Sequence, residues 1–253
     1  MNVILAIDSG NSFVKWGLFR DSQWIIQNSV HHDQISNLGS IFRELPEPTT
    51  IIISHVAREE TKKKLLDLIA YWSIEPMWHY SISFQCGVIN GYSDPSQLGS
   101  DRWAALIASW NFEQRACLVV TAGTTVTIDA LSDNGEFLGG IILPGFSLMN
   151  ESLHSCTQLN CHESGIYDDF PINTKNAIYS GIIQCFIGAI ERMHHILSIQ
   201  IRHPNANCIL SGGNSSILHP FIKPPVRIIN NLVLEGLIVI AKDELKKQKM
   251  ALP

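Results

Sequence analysis

The chain has few charged residues and no excess of positive charge. Charged side chains make up 16% of the 253 residues, against about 25% in an average globular protein. Apolar residues make up 45%, a composition that excludes a disordered protein. The 18 basic and 23 acidic side chains give a formal net charge of −5, so we expect no binding of nucleic acid, which requires a broad positive field.

Long apolar runs are also missing. The N-terminal run at residues 3–7 ends at Asp8 and is too short for the core of a signal peptide. The run at residues 232–241 is interrupted by Glu235 and falls short of the ~20 residues that span a bilayer. The six cysteines include no C-x-x-C pair, which favours reduced thiols. We therefore expect a cytoplasmic protein without membrane association.

One cluster of side chains has the ligand types of a zinc site. It comprises His154, Cys156, Cys161 and His162. Their spacing matches no standard zinc finger or knuckle. We therefore interpret them as scattered core or loop residues rather than as a metal site.

A strand–turn–strand pattern occurs twice. An apolar run at residues 3–7, a polar turn and a strand at 13–19 are followed later by a run at 118–120, a second polar turn and a strand at 126–131. Aligning Gly10 with Gly123 indicates an internal duplication. Helices are expected at 61–72, from Ser100–Asp101 onward, at 175–199 with Thr174 as the cap, and after Asn231. The pattern predicts an α/β protein of two similar lobes, residues 1–115 and 116–253.

The first polar turn has the residues of a phosphate-binding loop. Its glycine lets a backbone approach a phosphate, and successive N–H groups together with the side chains of Asn11 and Ser12 can donate to phosphate oxygens. Asp8 can hold Mg²⁺, and Lys15 can neutralise phosphate charge. A polar hairpin with an Asx turn is the alternative interpretation.

A second candidate site lies at residues 99–102. Asp101 can act as a general base toward a substrate hydroxyl, or it can simply favour the start of a helix. Arg102 suits an anionic group because its guanidinium matches a carboxylate or phosphate, or it is a surface charge. Tyr92 lines the same pocket or is an ordinary loop aromatic. Gly212–Gly213 permits close approach of a flat ligand such as adenine, or is a tight turn.

Taken in order, these motifs resemble those of the type III pantothenate kinases. The resemblance extends from the N-terminus to Leu234-Glu-Gly-Leu237 and therefore covers nearly the whole chain. It rests on Asp8-Ser-Gly-Asn-Ser-Phe-Val-Lys15, Gly99-Ser-Asp-Arg102, Ala122-Gly-Thr-Thr125, Gly139-Gly140 with Pro144-Gly145, Asn173-Thr174 and Ser211-Gly-Gly213. It implies two duplicated actin-like ATPase (ribonuclease H-like) lobes, with mixed sheets flanked by helices and a nucleotide cleft between them. It also implies ATP-dependent phosphorylation of pantothenate, the first step of coenzyme A synthesis.

The resemblance further implies a role for each matching residue. The ATP phosphates would be bound by Asp8 through Mg²⁺, and by Ser9, Gly10, Asn11, Ser12, Lys15 and, from the second lobe, Thr124. Pantothenate would be bound by Tyr92, Gly99, Ser100, Asp101, Arg102 and Thr174. Asp101 would accept the proton of the pantothenate hydroxyl. The family is dimeric, which implies a homodimer in which Thr174 serves the neighbouring chain.

The chain departs from the family pattern at two places. Thr121 stands where the family usually has an aspartate associated with a monovalent cation, K⁺ or NH₄⁺. A threonine can offer neutral oxygens but no charge, so we expect K⁺ activation to be weakened or absent. After Pro144–Gly145 the family often has Thr-Ala-x-Leu-Pro, whereas this chain has Thr157-Gln-Leu-Asn160.

Two alternative functions remain open at this point. One is a non-catalytic regulatory relative of the kinases, and the other is a kinase of another small hydroxy acid. Retention of Asp8, Lys15, Asp101 and Arg102 favours a working kinase, because these are the groups that phosphoryl transfer needs. The acceptor is given by the resemblance alone.

Overall fold

A computed structural model describes residues 2–156, 165–202 and 206–251. The chain divides into two compact units. The first runs to Phe112 and includes the C-terminal segment from Asn231, and the second runs from Glu113 to Asn230. Residues 157–160, which carry one predicted departure, and Cys161 and His162 of the cysteine–histidine cluster lie outside the described residues.

The first unit is built on a five-stranded sheet of order β3-β2-β1-β4-β5. Its central strand β1 is buried along its whole length, as its run of branched apolar residues predicts. It pairs antiparallel with β2 and parallel with β4. The strands are β1 (Val3–Ser9), β2 (Phe13–Arg20), β3 (Gln23–His31), β4 (Thr50–His55) and β5 (Met77–His79).

Helices and a short hairpin complete this part of the chain. The core under the sheet contains Trp16, Phe42 and Trp72, of which Trp16 and Phe42 meet edge to face with ring centroids 5.3 Å apart. α3 is buried almost all round because its centre is an unbroken apolar run. The elements are α1 (Leu38–Glu44), α2 (Glu59–Ile69), β6 (Phe84–Gln85), β7 (Val88–Asn90) and α3 (Ser100–Glu113).

The second unit repeats the topology of the first. Its strands lie in the order β12-β11-β8-β9-β10, with β8 antiparallel to β9 and parallel to β11. The same hydrogen bond follows both central strands: Val56 N–H donates to Ser9 O over 3.1 Å, and Asn214 N–H donates to Ala122 O over 3.0 Å. These parallels confirm the predicted duplication. The strands are β8 (Cys117–Ala122), β9 (Thr125–Leu131), β10 (Glu136–Pro144), β11 (Asn207–Ser211) and β12 (Val226–Ile228), and the helices are α4 (Phe146–Cys156), α5 (Thr174–Gln200) and α6 (Ser215–Leu218).

The C-terminal helix α7 (Leu232–Ala251) lies with the first unit, whereas the predicted division put it in the C-terminal lobe. It packs on β1, β2 and β4. A Cβ at Gly236 would lie only 1.9 Å from the Ala104 carbonyl oxygen, so α7 approaches α3 at a point where only glycine fits. The Trp24 indole N–H also donates to Glu235 over 2.7 Å. These long-range contacts are invisible to a pattern read along the chain. Within the described residues, no helix is long and apolar enough to cross a membrane.

Candidate active site

The first polar turn connects β1 to β2 and is closed by backbone hydrogen bonds. Gly10 N–H donates to Phe13 O over 3.1 Å, and His32 N–H donates to Ser12 O over 3.2 Å. Asn11 at the tip is exposed. Lys15, half-buried on β2, is the cross-strand partner of Asp8. The turn therefore has the compact, backbone-fixed form that the sequence suggests for a phosphate loop.

Asp8 at the end of β1 has a buried carboxyl group with a raised pKa. Burial, followed by the charge of Asp101, raises its pKa from 3.8 to about 7, although Lys15 acts in the opposite direction. Its Oδ1 atom is buried without a hydrogen-bond partner among the described residues. An unsatisfied carboxylate oxygen is costly to bury, and a cation beside it would remove that cost.

Two histidine rings contact the backbone and side chains of the first polar turn. The His55 ring Nδ1 lies 3.0 Å from Ser9 Oγ, and the His32 ring Nε2 lies 2.7 Å from the Gly10 carbonyl oxygen. Ser9 is fully buried, so its hydroxyl faces the protein rather than solvent. Burial lowers the pKa of His55, which favours a neutral ring.

Asp101 lies in the first turn of α3. Its Oδ1 accepts the backbone N–H of Arg102 over 2.8 Å. Burial raises the pKa of this carboxyl group, while the N–H and the charge of Arg102 act against the rise. A Cβ at Gly99 would lie 2.5 Å from Asp101 Oδ1, so the missing side chain of Gly99 makes room for the carboxylate.

Ser100 is turned into the protein. Its hydroxyl lies 2.9 Å from that of Ser54 on β4, and both side chains are buried. The buried His79 ring forms a hydrogen bond with the Ser100 backbone, and burial lowers the pKa of His79 to about 4. Ser100 thus fixes the start of α3, and its hydroxyl is engaged within the protein.

Arg102 and Tyr92 form a pair. The Arg102 Nη1 donates to the Tyr92 hydroxyl over 3.0 Å, and the guanidinium carbon lies 5.8 Å from the centre of the Tyr92 ring. Arg102 is 7% exposed, so it is not the surface charge of the alternative interpretation. A buried guanidinium fixed by an aromatic ring is suited to an anion.

The second polar turn connects β8 to β9 and repeats the closure of the first, because Gly123 N–H donates to Thr125 O over 3.0 Å. Thr121 is half-buried on β8 and Thr124 is exposed. Gly145 N–H donates to Thr124 O over 2.9 Å, and a Cβ at Gly145 would overlap that carbonyl. Pro144–Gly145 therefore supports this turn as well as ending β10.

Gly212 and Gly213, expected beside a flat ligand, have different surroundings. Gly212 has a φ of +99°, and a Cβ there would lie 2.3 Å from the Ala122 carbonyl oxygen. Residue 212 therefore has to be a glycine because its backbone packs closely against β8. A Cβ at Gly213 would meet nothing within 4 Å, so only Gly213 leaves open space.

Thr174 was expected to cap α5, and this expectation is wrong. Asn173 is the N-cap, with its side chain accepting the N–H of Asn176 over 3.0 Å. Thr174 is the first helical residue and is exposed. It lines a groove of about 890 Å³ with Leu148, Ile172 and Ile178.

The structure brings the predicted residues together in two sets. Asp8, with its turn, and Asp101, with Arg102 and Tyr92, belong to the first unit, and the electrostatic effect of Asp101 on Asp8 marks their proximity. Thr121, Thr124 and Thr174 belong to the second unit. Sequence reasoning missed His32, His55 and His79, which no local motif marks. Their contacts depend on strands that are distant along the chain.

The donor set around Asp8 fits a magnesium ion. Mg²⁺ in nucleotide enzymes is held by one or two carboxylates, with phosphate and water oxygens completing the octahedron. Asp8 offers an unsatisfied carboxylate oxygen. Among the described residues no group of three or more metal-ligating side chains occurs. A Mg²⁺ ion at Asp8 would therefore need oxygens from outside this set of side chains, such as those of water or a phosphate, to complete its coordination.

Sequence comparisons with known proteins show which family this chain resembles. The family model described as type III pantothenate kinase matches residues 4–195. The type III pantothenate kinase of Nitrosospira multiformis is 46% identical over 241 residues, which cover 95% of this chain and 92% of that protein. The enzyme of Nitrosomonas eutropha is 45% identical over 248 residues, 96% of each chain. This chain belongs to the type III pantothenate kinase family.

A solved structure supports the fold. MreB5 of Spiroplasma citri bound to ADP is similar with a TM-score of 0.53, covering 98% of this chain and 99% of that one, at 11% identity. At that identity the likeness concerns the fold alone. Together with the duplicated sheets, it confirms the expected actin-like α/β fold class for this family member.

Proposed function

We propose that this chain transfers the γ-phosphoryl group of ATP to the primary hydroxyl of pantothenate, the first step of coenzyme A synthesis. The observation that carries the proposal is the buried Asp101 carboxylate near Asp8, in a chain of this family. Two carboxylates in one buried region suit two tasks, proton acceptance and metal binding.

Asp101 is the proton acceptor in this proposal. Burial raises the pKa of its carboxyl group, which makes it a stronger base than an exposed aspartate. The Arg102 backbone N–H, bound to Oδ1, orients the carboxylate that would accept the proton of the substrate hydroxyl. Phosphoryl transfer needs mainly positioning and charge neutralisation, so the base assists a reaction that the rest of the site has already aligned.

Arg102 and Tyr92 bind the acceptor. Pantothenate carries a carboxylate, and the Arg102 guanidinium provides a charged partner for it with two donors in a fixed geometry. The hydrogen bond to Tyr92 holds the guanidinium in place. Gly99 contributes by leaving space for Asp101, and Ser100 contributes through the backbone rather than its hydroxyl.

Asp8 and its turn bind the nucleotide phosphates. The Asp8 carboxylate would hold Mg²⁺, which neutralises phosphate charge when bound. The exposed Asn11 and the Ser12 side chain provide donors on the turn, and Lys15 provides a charged donor from β2. The resemblance to the family gives Thr124 of the second polar turn the same role. The buried Ser9 hydroxyl is bound to His55, so Ser9 contributes by fixing the end of β1 rather than by donating its hydroxyl to a phosphate.

A homodimer is the proposed assembly. The groove beside Thr174 is lined mainly by apolar side chains of α4, α5 and residues 171–172, and Ile172 there is 96% exposed. Apolar grooves of this kind on a protein surface mark interaction sites. On α5, a Cβ at Gly181 or Gly188 would meet nothing within 4 Å, which leaves room for close approach of a second helix.

The test is pantothenate-dependent release of ADP by the purified protein with ATP and Mg²⁺. We expect turnover, and we expect Asp101→Asn to lower kcat by about 10²–10⁴, the usual contribution of a positioned base. Asp21→Asn, at an exposed turn aspartate, is the matched control and keeps full activity. Turnover with another hydroxy acid but not with pantothenate would replace the acceptor. No turnover by a folded protein supplied with K⁺ or NH₄⁺ would favour the regulatory relative.

A further inference from the structure

His32 makes two contacts to the first polar turn, and no motif of the sequence includes it. Its ring Nε2 lies 2.7 Å from the Gly10 carbonyl oxygen. Its own backbone N–H donates to the Ser12 carbonyl oxygen over 3.2 Å. The residue begins the 3₁₀ helix His32–Asn37, directly after β3. One residue therefore holds two of the turn's carbonyl groups.

The ring contact has a defined direction. A carbonyl oxygen can only accept, so the His32 ring carries its proton on Nε2 and donates to Gly10. The ring's other nitrogen, Nδ1, is buried without a partner among the described residues. The half-buried ring therefore makes this one hydrogen bond through Nε2, while its Nδ1 atom is buried without compensation from the described residues.

Holding the Gly10 carbonyl also sets the direction of the next N–H. The Gly10 C=O and the Asn11 N–H belong to one planar trans peptide unit, in which the two groups point in opposite directions. With the carbonyl fixed on the ring, the Asn11 N–H points to the other side, away from His32. Asn11 is exposed, and within the described part of the chain its backbone N–H donates to no other backbone group.

We propose that His32 is a positioning residue for nucleotide binding, which acts by orienting the Gly10–Asn11 peptide so that the Asn11 N–H is directed at a phosphate oxygen. The inference rests on the proposed function for the identity of the ligand, a nucleoside triphosphate. A preset N–H costs no reorganisation when the anion binds. Without the ring contact, the peptide can rotate and the turn must be ordered by the ligand itself.

Two variants differ in reach and little else. In His32→Gln the amide nitrogen can stand at the position of Nε2. The side chain of His32→Asn is one methylene shorter, so its amide nitrogen stands at the position of Nδ1 and does not reach the Gly10 carbonyl oxygen. Both are polar and smaller than histidine, so both should fold. His31→Asn is the matched control, because that neighbouring ring is exposed and an asparagine can replace it as the N-cap of the 3₁₀ helix.

Binding of the Mg²⁺ complex of AMP-PNP, a non-hydrolysable ATP analogue, is measured by calorimetry, with adenosine as the phosphate-free ligand. We expect His32→Asn to weaken AMP-PNP about tenfold, the effect of one hydrogen bond to a charged group. Adenosine binding should stay unchanged. His32→Gln and His31→Asn should remain within about threefold of the unsubstituted protein. In turnover, His32→Asn should raise KM for ATP by the same factor, with kcat and KM for pantothenate changed less than about threefold.

The proposal is overturned if His32→Asn binds AMP-PNP as tightly as His32→Gln does. It is also overturned if His32→Asn weakens adenosine and AMP-PNP equally, because that result would mean a general structural role. The binding assay needs no acceptor. If the unsubstituted protein shows no pantothenate turnover but AMP-PNP binding still follows the identity of residue 32, the proposed function fails and the role of His32 stands.

Discussion

Gly99 has no side chain, and this leaves the space that the Asp101 carboxylate occupies. A Cβ on Gly99 would stand 2.5 Å from Asp101 Oδ1, well inside van der Waals contact. The clash is with the end of a short side chain, so the carboxylate can rotate away without moving the backbone. Gly99 therefore serves the proposed chemistry more than it serves the fold.

We predict that Gly99→Ala lowers kcat by about 10–100-fold, because a displaced base loses its alignment with the hydroxyl. The melting temperature should change by less than about 4 °C, which corresponds to less than about 1 kcal/mol in a chain of this size. Steady-state kinetics and thermal unfolding on the same preparation measure both. Full activity would show that Asp101 does not need this position, and a large drop in melting temperature would assign Gly99 to the fold.

Asp8 connects the site to stability through its charge. Its pKa is about 7 in the folded chain, against an ordinary value of 3.8 for an aspartate in water. The folded state therefore binds the proton more tightly than the unfolded state. The associated stability is present below about pH 4 and is lost as the pH rises through about 7.

We predict that Asp8→Asn abolishes activity and stabilises the ligand-free protein at pH 8. A pKa difference of about three units corresponds to an upper bound of about 4 kcal/mol, and we expect about 2 kcal/mol after relaxation around the site. The gain should shrink as the pH falls toward 4, where the aspartate is protonated in the folded state. Urea unfolding without Mg²⁺ at pH 8 and pH 4.5 measures the difference. A variant less stable than the parent at pH 8 would contradict the burial of a charge at this position.

At the scale of elements, the β8–β9 turn bears on cation dependence. The residues in register with Thr121 are Thr127 on β9 and Ser211 on β11. All three side chains carry neutral hydroxyl oxygens. Such oxygens can coordinate a monovalent cation but provide no charge to attract it.

We predict that replacing NaCl with KCl at equal ionic strength leaves the rate nearly unchanged, because neutral oxygens provide no charge to hold the cation. Thr121→Asp should create a dependence on K⁺ or NH₄⁺, because it restores the acid that the family usually has there. The readout is ADP release at several salt concentrations. A strong rise in rate with KCl in the unsubstituted protein would contradict the hypothesis that Thr121 weakens activation by K⁺.

The elements that sequence could predict are those whose information is local. The two central strands and their polar turns were predictable because apolar runs and glycine-containing turns recur in the same order. The position of α7 was not, because it depends on the contact of Gly236 with Ala104, which are far apart in sequence. The roles of His32 and His55 were hidden for the same reason, and Thr174 was misplaced by one residue because Asn173 is the better N-cap.

At the scale of the whole molecule, α5 combines a buried face with one that suits a partner. Ile183 and Phe186 are buried in the second unit, whereas Gly181, Cys185 and Gly188 are exposed. Positions 181, 185 and 188 fall on one side of the helix. Glycines on an exposed helix face are otherwise unfavourable, because they weaken a helix relative to alanine.

We predict that Gly181→Glu converts the protein from dimer to monomer, because two carboxylates would meet in an apolar interface without compensation. Gln248→Glu on the exposed part of α7 adds the same charge away from this face and should leave the dimer intact. Sedimentation velocity gives the mass of each. If Thr174 acts on the neighbouring chain's pantothenate, the Gly181→Glu monomer should also show a raised KM for pantothenate while binding of AMP-PNP is unchanged. If the unsubstituted protein is a monomer, Thr174 cannot act on the pantothenate of a neighbouring chain, and it only lines the groove of its own chain.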